Sequence, residues 1–329
     1  MRICILGAGG VFGNNLAAYL LSQNHEVMGI GRSPRKAPCF TLGVDYPYHA
    51  FHLNYELEYA LTHIDKFAPQ VIVNFAAQGE GAASFGSDNW RFYETNTVAL
   101  VKLVSELMKR CYLPGAFNSY LTRFIQIGSS EVYGSVDKPV SESSPTNPST
   151  PYAASKLAFD HHLVAMHRIK GFPMNVIRPS NCYAPGQQLH RVIPKVLVYG
   201  LTGRKMPLHG GGKARKSYLH ATDLSRAILR VIERGLEGEI YNVGPGSTTL
   251  IKQVVSLCAT ALGKSFEELV KEAPERTGQD STYWLDSSKV KNLGWRQEIE
   301  WGEGLDGMVE WVNKYPELLT MDTDFRMRA

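Results

Sequence analysis

The chain has few cysteines: five in 329 residues, an odd number, with no Cys-x-x-Cys pair. That argues against a disulfide scaffold or a zinc ribbon and for a reducing compartment, the cytoplasm. No apolar run approaches the roughly 18 residues of a membrane span. A basic-then-apolar leader is missing too, because Gly7 interrupts the first apolar stretch almost at once. There is no internal repeat, no low-complexity segment and no basic block. The charge of +4 comes from 35 Lys+Arg scattered among 31 Asp+Glu. So mild an excess gives little reason to expect a nucleic-acid partner, although it suits an anionic small substrate. Apolar residues at 44% and charged residues at 20% exclude a disordered or fibrous chain. A soluble globular protein is expected, with no membrane segment and no metal.

What is present is a regular alternation. Arg2 to Leu6, Glu26–Ile30, Val71–Phe75, Arg123–Ile127 and Met174–Ile177 read as buried strands. Val11 to Gln23, Trp90–Arg110 and Pro151–Lys170 read as helices between them. Such alternation predicts an α/β fold, a doubly wound parallel sheet covered on both faces. After about residue 180 prolines and the run Gly210–Gly212 break the rhythm, and residues 222–243 resume it. The expected division is a dinucleotide-binding domain over 1–180, rejoined by 214–246. Residues 181–213 and 247–329 then form a smaller, mostly helical substrate domain.

The turn after the first strand reads ILGAGGVFG. Gly7, Gly10 and Gly13 there allow a tight turn, a close pyrophosphate and close helix–strand packing. The second strand ends in Gly31 and Arg32, with Arg35 and Lys36 following. NAD sites usually carry an acid at this place for the ribose hydroxyls, whereas a guanidinium suits a 2′-phosphate. NADP is therefore the expected cofactor, with NAD the alternative.

STPYAASK places Thr150 as a cap, Pro151 at the first helical position, and Tyr152 and Lys156 one turn apart. A free tyrosine titrates near 10. An ammonium about 4 Å away is worth roughly 4 kcal/mol at an effective dielectric near 20, enough to favour a phenolate base. Just upstream, FIQIGSSEVYG runs a strand into Ser129, Ser130 and Glu131, at the sheet edge where ligands bind in open α/β folds.

These segments, in this order, resemble the extended short-chain dehydrogenase/reductase family, specifically its sugar-nucleotide epimerases and dehydratases. The likeness runs over almost the whole chain, through NFAAQ, ETNTVALVKL, VIRPSNCYAPGQQ, SYLHATDLSRAI, IYNVGPG, ERTGQD and LGWRQEIEWGEGL. It implies a Rossmann domain holding the dinucleotide with Gly7, Gly10, Val11, Phe12, Gly13, Arg32, Ala76, Ala77, Asn96, Tyr152, Lys156 and Pro179. Tyr152 would be the base, Lys156 its partner and Ser129 the hydroxyl helper. Asn181, Arg215, Lys216 and Arg276 would hold the diphosphate of a nucleotide sugar, and a homodimer would form through the helices Trp90–Arg110 and Pro151–Lys170. Glu131 makes the likeness closest to the 4,6-dehydratases of nucleotide hexoses. There, oxidation at C4 acidifies the C5 proton, a carboxylate removes it, the 6-hydroxyl leaves as water, and hydride returns to C6. Ser130 stands where dTDP-glucose dehydratases carry an aspartate, as in the GDP-mannose type. A UDP-glucuronate decarboxylase or a 4-epimerase on the same scaffold is the enzymatic alternative, and a non-catalytic dinucleotide sensor the distant one.

Overall fold

The computed structural model describes residues 1–79, 82–112, 119–275 and 280–324, the side chains of 82 and 83 aside. Five strands follow the apolar runs of the sequence: β1 (Arg2–Leu6), β2 (Glu26–Gly31), β4 (Val71–Asn74), β5 (Arg123–Ile127) and β6 (Met174–Pro179). The short β3 (Tyr48–Ala50) pairs only with β2 and forms one edge. At the other edge Ile240–Val243 pairs with β6, so the sheet runs Ile240–Val243, β6, β5, β4, β1, β2, β3, and every pair is parallel. The chain therefore reverses direction across the sheet between β1 and β4, and the crevice at their carboxyl ends is where such sheets bind ligands.

Both faces are covered, which is why the inner strands are apolar throughout. On one face Leu16, Ala17 and Leu20 of the helix Val11–Ser22 meet Leu224, Ala227 and Ile228 of the helix Ala221–Arg234. On the other, Leu100, Leu103, Val104, Leu107, Phe159 and Leu163 pack with Ala60, Leu61 and Ile64. Each such aliphatic side chain taken out of water is worth about 1.5–3 kcal/mol. Val104 and Met108, on the helix expected to pair with a second copy, belong to this core. Val98, Trp90 and Tyr93 of the same helical run are exposed.

A third core gathers the helices Val192–Leu201, Ile251–Leu262 and Trp301–Lys314. Three hydrogen bonds fix this unit to the sheet layer. Trp311 Nε1 donates to Cys39 O at 2.6 Å, and the buried Asp223 accepts from the amides of Glu298 and Ile299 at 3.1 and 3.0 Å. All five cysteines are free thiols. Among the described residues no helix is long and apolar enough to cross a membrane.

Candidate active site

The glycine turn is built by close backbone approach. Gly7 has φ +78° and donates its amide to Ile30 O at 2.7 Å. A Cβ on Gly7 would stand 2.6 Å from Ala76 N, and one on Gly13 2.7 Å from Gly7 O. No side chain caps the helix Val11–Ser22, so its first amides remain for an anion. The turn opens into a cavity of about 900 Å³ lined by Gly7, Gly10, Val11, Phe12, Gly13, Ala76, Ala77 and Pro179. These residues fit a dinucleotide: a side-chain-free cradle, uncapped amides and a cleft of ligand size. Arg32 and Lys36 also line it. Arg35 does not share the anion-binding role that its place in the sequence suggested. Its guanidinium is used locally, donating to Val44 O and Tyr46 O at 3.0 and 2.9 Å and lying over the Tyr46 ring.

The helix Pro151–Lys170 begins as its sequence requires. Thr150 Oγ1 accepts from Ala153 N at 3.1 Å, with Pro151 in the first turn. Tyr152 and Lys156 both line the cavity. Phe92 meets the Tyr152 ring edge-on at 6.3 Å, and Tyr152 N donates to Ser84 Oγ. Lys156 is buried, and its Nζ donates to Ile127 O at 2.7 Å. Burial lowers its ammonium to about 8 while Asp160, one turn on, acts in the opposite sense.

Ser129 ends the run from β5 and caps the 3-10 turn Ser130–Tyr133, its Oγ accepting from Glu131 N at 3.1 Å. That turn places Ser129, Ser130 and Glu131 on the wall of the same cavity as Tyr152 and Lys156. Asn96 stands behind the wall instead. In a π-helical turn, Glu94–Val98, its side chain accepts from Gln78 N and donates to Gln78 O and Ser155 Oγ at 2.8, 3.0 and 3.0 Å. It fixes Gln78, which lines the cavity, rather than facing it.

Within reach of the Glu131 charge lies a second charged group. Lys216 is buried, donates to Asp280 O at 2.6 Å and sits 3.6 Å from the centre of the Tyr283 ring. Burial brings its ammonium down to about 8, against the attraction of Glu131 and Asp280. The Asp280 carboxylate accepts from Ser135 Oγ and Tyr283 Oη at 2.9 and 2.8 Å. Burial pushes the Tyr283 phenol up, and Glu131, Asp280 and Tyr152 add to the shift. Asn181 lines the cavity beside Lys216. Arg215 is exposed and lies outside the lining; its amide donates to Ser281 O at 2.7 Å and its carbonyl accepts from Tyr283 N at 3.2 Å. Arg276 falls outside the described residues. Asp280 and Tyr283 were missed by sequence reasoning. The available signal was a lone carboxylate closing the ERTGQD segment.

Comparison with known proteins identifies the family and the fold. The model of the NAD dependent epimerase/dehydratase family matches residues 3–244. A human dTDP-D-glucose 4,6-dehydratase is 34% identical over 250 residues, 74% of this chain and 69% of that one. A trifunctional UDP-glucose 4,6-dehydratase/UDP-4-keto-6-deoxy-D-glucose 3,5-epimerase/UDP-4-keto-L-rhamnose-reductase of Arabidopsis thaliana is 31% identical over 75% of this chain. The chain spans only about a third of that plant protein, 36% of its length. A crystal structure of dTDP-glucose 4,6-dehydratase from Streptomyces venezuelae, with NAD bound, superposes with a TM-score of 0.86 at 27% identity, covering 96% of this chain and 98% of that one. With its glycine cradle, its Tyr152–Lys156 pair and its doubly wound sheet, the chain belongs to the NAD-dependent epimerase/dehydratase family.

Proposed function

We propose that the protein is a cytoplasmic nucleotide-sugar 4,6-dehydratase, converting a nucleotide-diphosphate hexose to its 4-keto-6-deoxy form. The observation that carries this reading is Glu131 on one cavity wall with Ser129, Tyr152 and Lys156. An epimerase needs only the last three; a carboxylate beside them provides a base for C5. Tyr152 takes the proton of the 4-hydroxyl, Ser129 holds that oxygen, and the Lys156 ammonium stabilises the phenolate. When bound, the dinucleotide supplies uptake of hydride from C4 and its return to C6. Glu131 removes the C5 proton acidified by the 4-ketone and delivers it to the 6-oxygen, which departs as water. Ser130, a hydroxyl rather than a carboxylic acid, orients the departing group. Lys216 and Asn181 hold the diphosphate, joined by Arg276; Arg215, turned away from the cleft, takes no part.

NADP is the proposed dinucleotide, on the strength of Arg32 and the missing acid at Gly31; the similar crystal structure carries NAD. A homodimer through the exposed face of Trp90, Tyr93 and Val98 completes the reading, and light scattering at micromolar concentration checks it.

Incubation with dTDP-, UDP- and GDP-hexoses tests the activity. The expected product has lost one water and carries solvent deuterium at C5. A product isomeric at C4, or carbon dioxide from a UDP-uronate, sinks the proposal.

A further inference from the structure

The cavity corner beyond the end of β2 is closed by a tyrosine from the edge strand. Tyr48 lines the cavity and donates its hydroxyl to Ser33 O at 2.8 Å. Arg35 steadies it: while donating to Val44 O and Tyr46 O, the guanidinium lies 5.5 Å from the centre of the Tyr48 ring. The tyrosine hydroxyl presses on two glycines. A Cβ on Gly9 would stand 2.7 Å from Oη, and a Cβ on Gly31 would overlap Oη and lie 2.9 Å from Cζ. Gly31 is not among the positive-φ glycines, so its backbone does not call for glycine. The Tyr48 side chain does.

Resting on the NADP reading above, we propose that Tyr48 is a cofactor-specificity residue, which keeps the last position of β2 bare so that no carboxylate reaches the adenosine ribose. In NAD sites an acid near the end of the second strand accepts hydrogen bonds from the ribose hydroxyls. The same carboxylate repels a 2′-phosphate. Here the absence of that acid is enforced by packing, and Arg32, which also lines this part of the cavity, meets the phosphate instead. With Tyr48 cut back, the next neighbour of a Cβ at position 31 is Gly9 N at 3.2 Å, tight contact that a shift of a few tenths of an ångström relieves.

The test measures binding of NAD and of NADP to purified wild type, Gly31→Asp, Tyr48→Ala and the double variant. Gly31→Asp alone is expected to weaken NADP about tenfold and gain nothing for NAD, because the new side chain collides with Tyr48. Adding Tyr48→Ala is expected to tighten NAD about tenfold over Gly31→Asp, while NADP stays weak. If Gly31→Asp binds NAD as tightly without Tyr48→Ala as with it, the inference is overturned. Thermal melting of Gly31→Ala serves should the aspartate variant fail to fold. The methyl should lower Tm where Tyr48 is intact and do so much less alongside Tyr48→Ala; equal losses overturn the inference. A wild type that binds NAD as well as NADP sinks the cofactor reading by itself, since both comparisons at position 31 stand without it.

Discussion

On the cofactor side of the cleft, backbone does most of the holding. Gly7 and Gly13 sit where no Cβ fits, and Lys156 is anchored to a strand carbonyl, Ile127 O. On the proposed substrate side, side chains do the holding: Ser135, from 145 residues away, and Tyr283 converge on the Asp280 carboxylate, and Lys216 donates to the Asp280 carbonyl. Glu131 lines the same cavity, and its charge is felt at Lys216 and Tyr283. The difference is one of tolerance. A backbone-built wall tolerates few substitutions, while a side-chain wall can be retuned, and on the proposed reading that is where substrate identity is decided.

The sharpest way to break this comparison is at the cofactor wall. Tyr152→Phe keeps the ring and its edge contact with Phe92 but removes the only group proposed to take the 4-hydroxyl proton. Turnover should fall about 10²–10⁴-fold in the product-mass assay, with the melting temperature nearly unchanged. A loss under threefold would remove Tyr152 from the mechanism. Glu131→Gln comes next. Dehydration should fall about 10²–10³-fold, yet a nucleotide hexose should still produce reduced-cofactor absorbance at 340 nm. If dehydration and absorbance fell together, Glu131 would serve the first step, not the second.

The two walls also differ in how far the sequence reveals them. The glycine turn and the Thr150–Pro151–Tyr152–Lys156 start are local, strand into turn into helix, so they are visible in sequence once their place in the alternation and the Ser129–Glu131 segment upstream are read with them. Tyr48 sits in a three-residue edge strand whose period is too short to read, and the helix Leu57–Phe67 went unremarked. The helix around Trp90 was legible as a helix, but not the π turn that aims Asn96 at Gln78. Arg35 looked like a phosphate ligand because charge is visible in sequence and hydrogen-bond partners are not. Asp280 meets Ser135 across 145 residues, a contact no periodicity announces. Arg215 and Lys216 are adjacent in sequence, yet only Lys216 lines the cleft, because successive residues of an extended segment face opposite ways.

At the substrate wall the expected effects are smaller. Asp280→Asn weakens the carboxylate that Tyr283 and Ser135 address without changing its shape. KM for the nucleotide sugar should rise about tenfold, and kcat should change by less than about threefold. A fall in kcat with KM unchanged would place Asp280 in the chemistry. Lys216→Arg should be milder still, since the charge is kept and a planar fork replaces a point charge.

The smallest effect is the most diagnostic of how the cofactor wall is powered. Lys156 must carry its charge to favour the Tyr152 phenolate, and burial has already brought that ammonium down to about 8. What opposes burial is Asp160, itself buried and paired with Arg178 Nε at 3.0 Å, with Oδ1 left without a hydrogen-bond partner among the described residues. Tyr152 and Asp160 lie one turn either side of Lys156 on its own helix, the Ile127 carbonyl on β5 accepts from it, and Arg178 on β6 pairs with Asp160. Among the described residues, the Asp160 carboxylate is the group whose charge opposes loss of the Lys156 proton. A lysine is active below its pKa and loses its charge as pH rises through it, so turnover should decline with a midpoint near 8. Asp160→Asn keeps the shape and an acceptor for Arg178 but removes the negative charge. The alkaline midpoint should move downward, with less than about tenfold loss at pH 6.5, where the ammonium still survives. Removing half of a buried pair should also lower stability by about 3–5 kcal/mol, which a urea melt reads separately. A lower melt with the pH profile unmoved would make Asp160 a brace for Arg178 and nothing more. A moved midpoint makes it the residue that keeps the catalytic lysine charged.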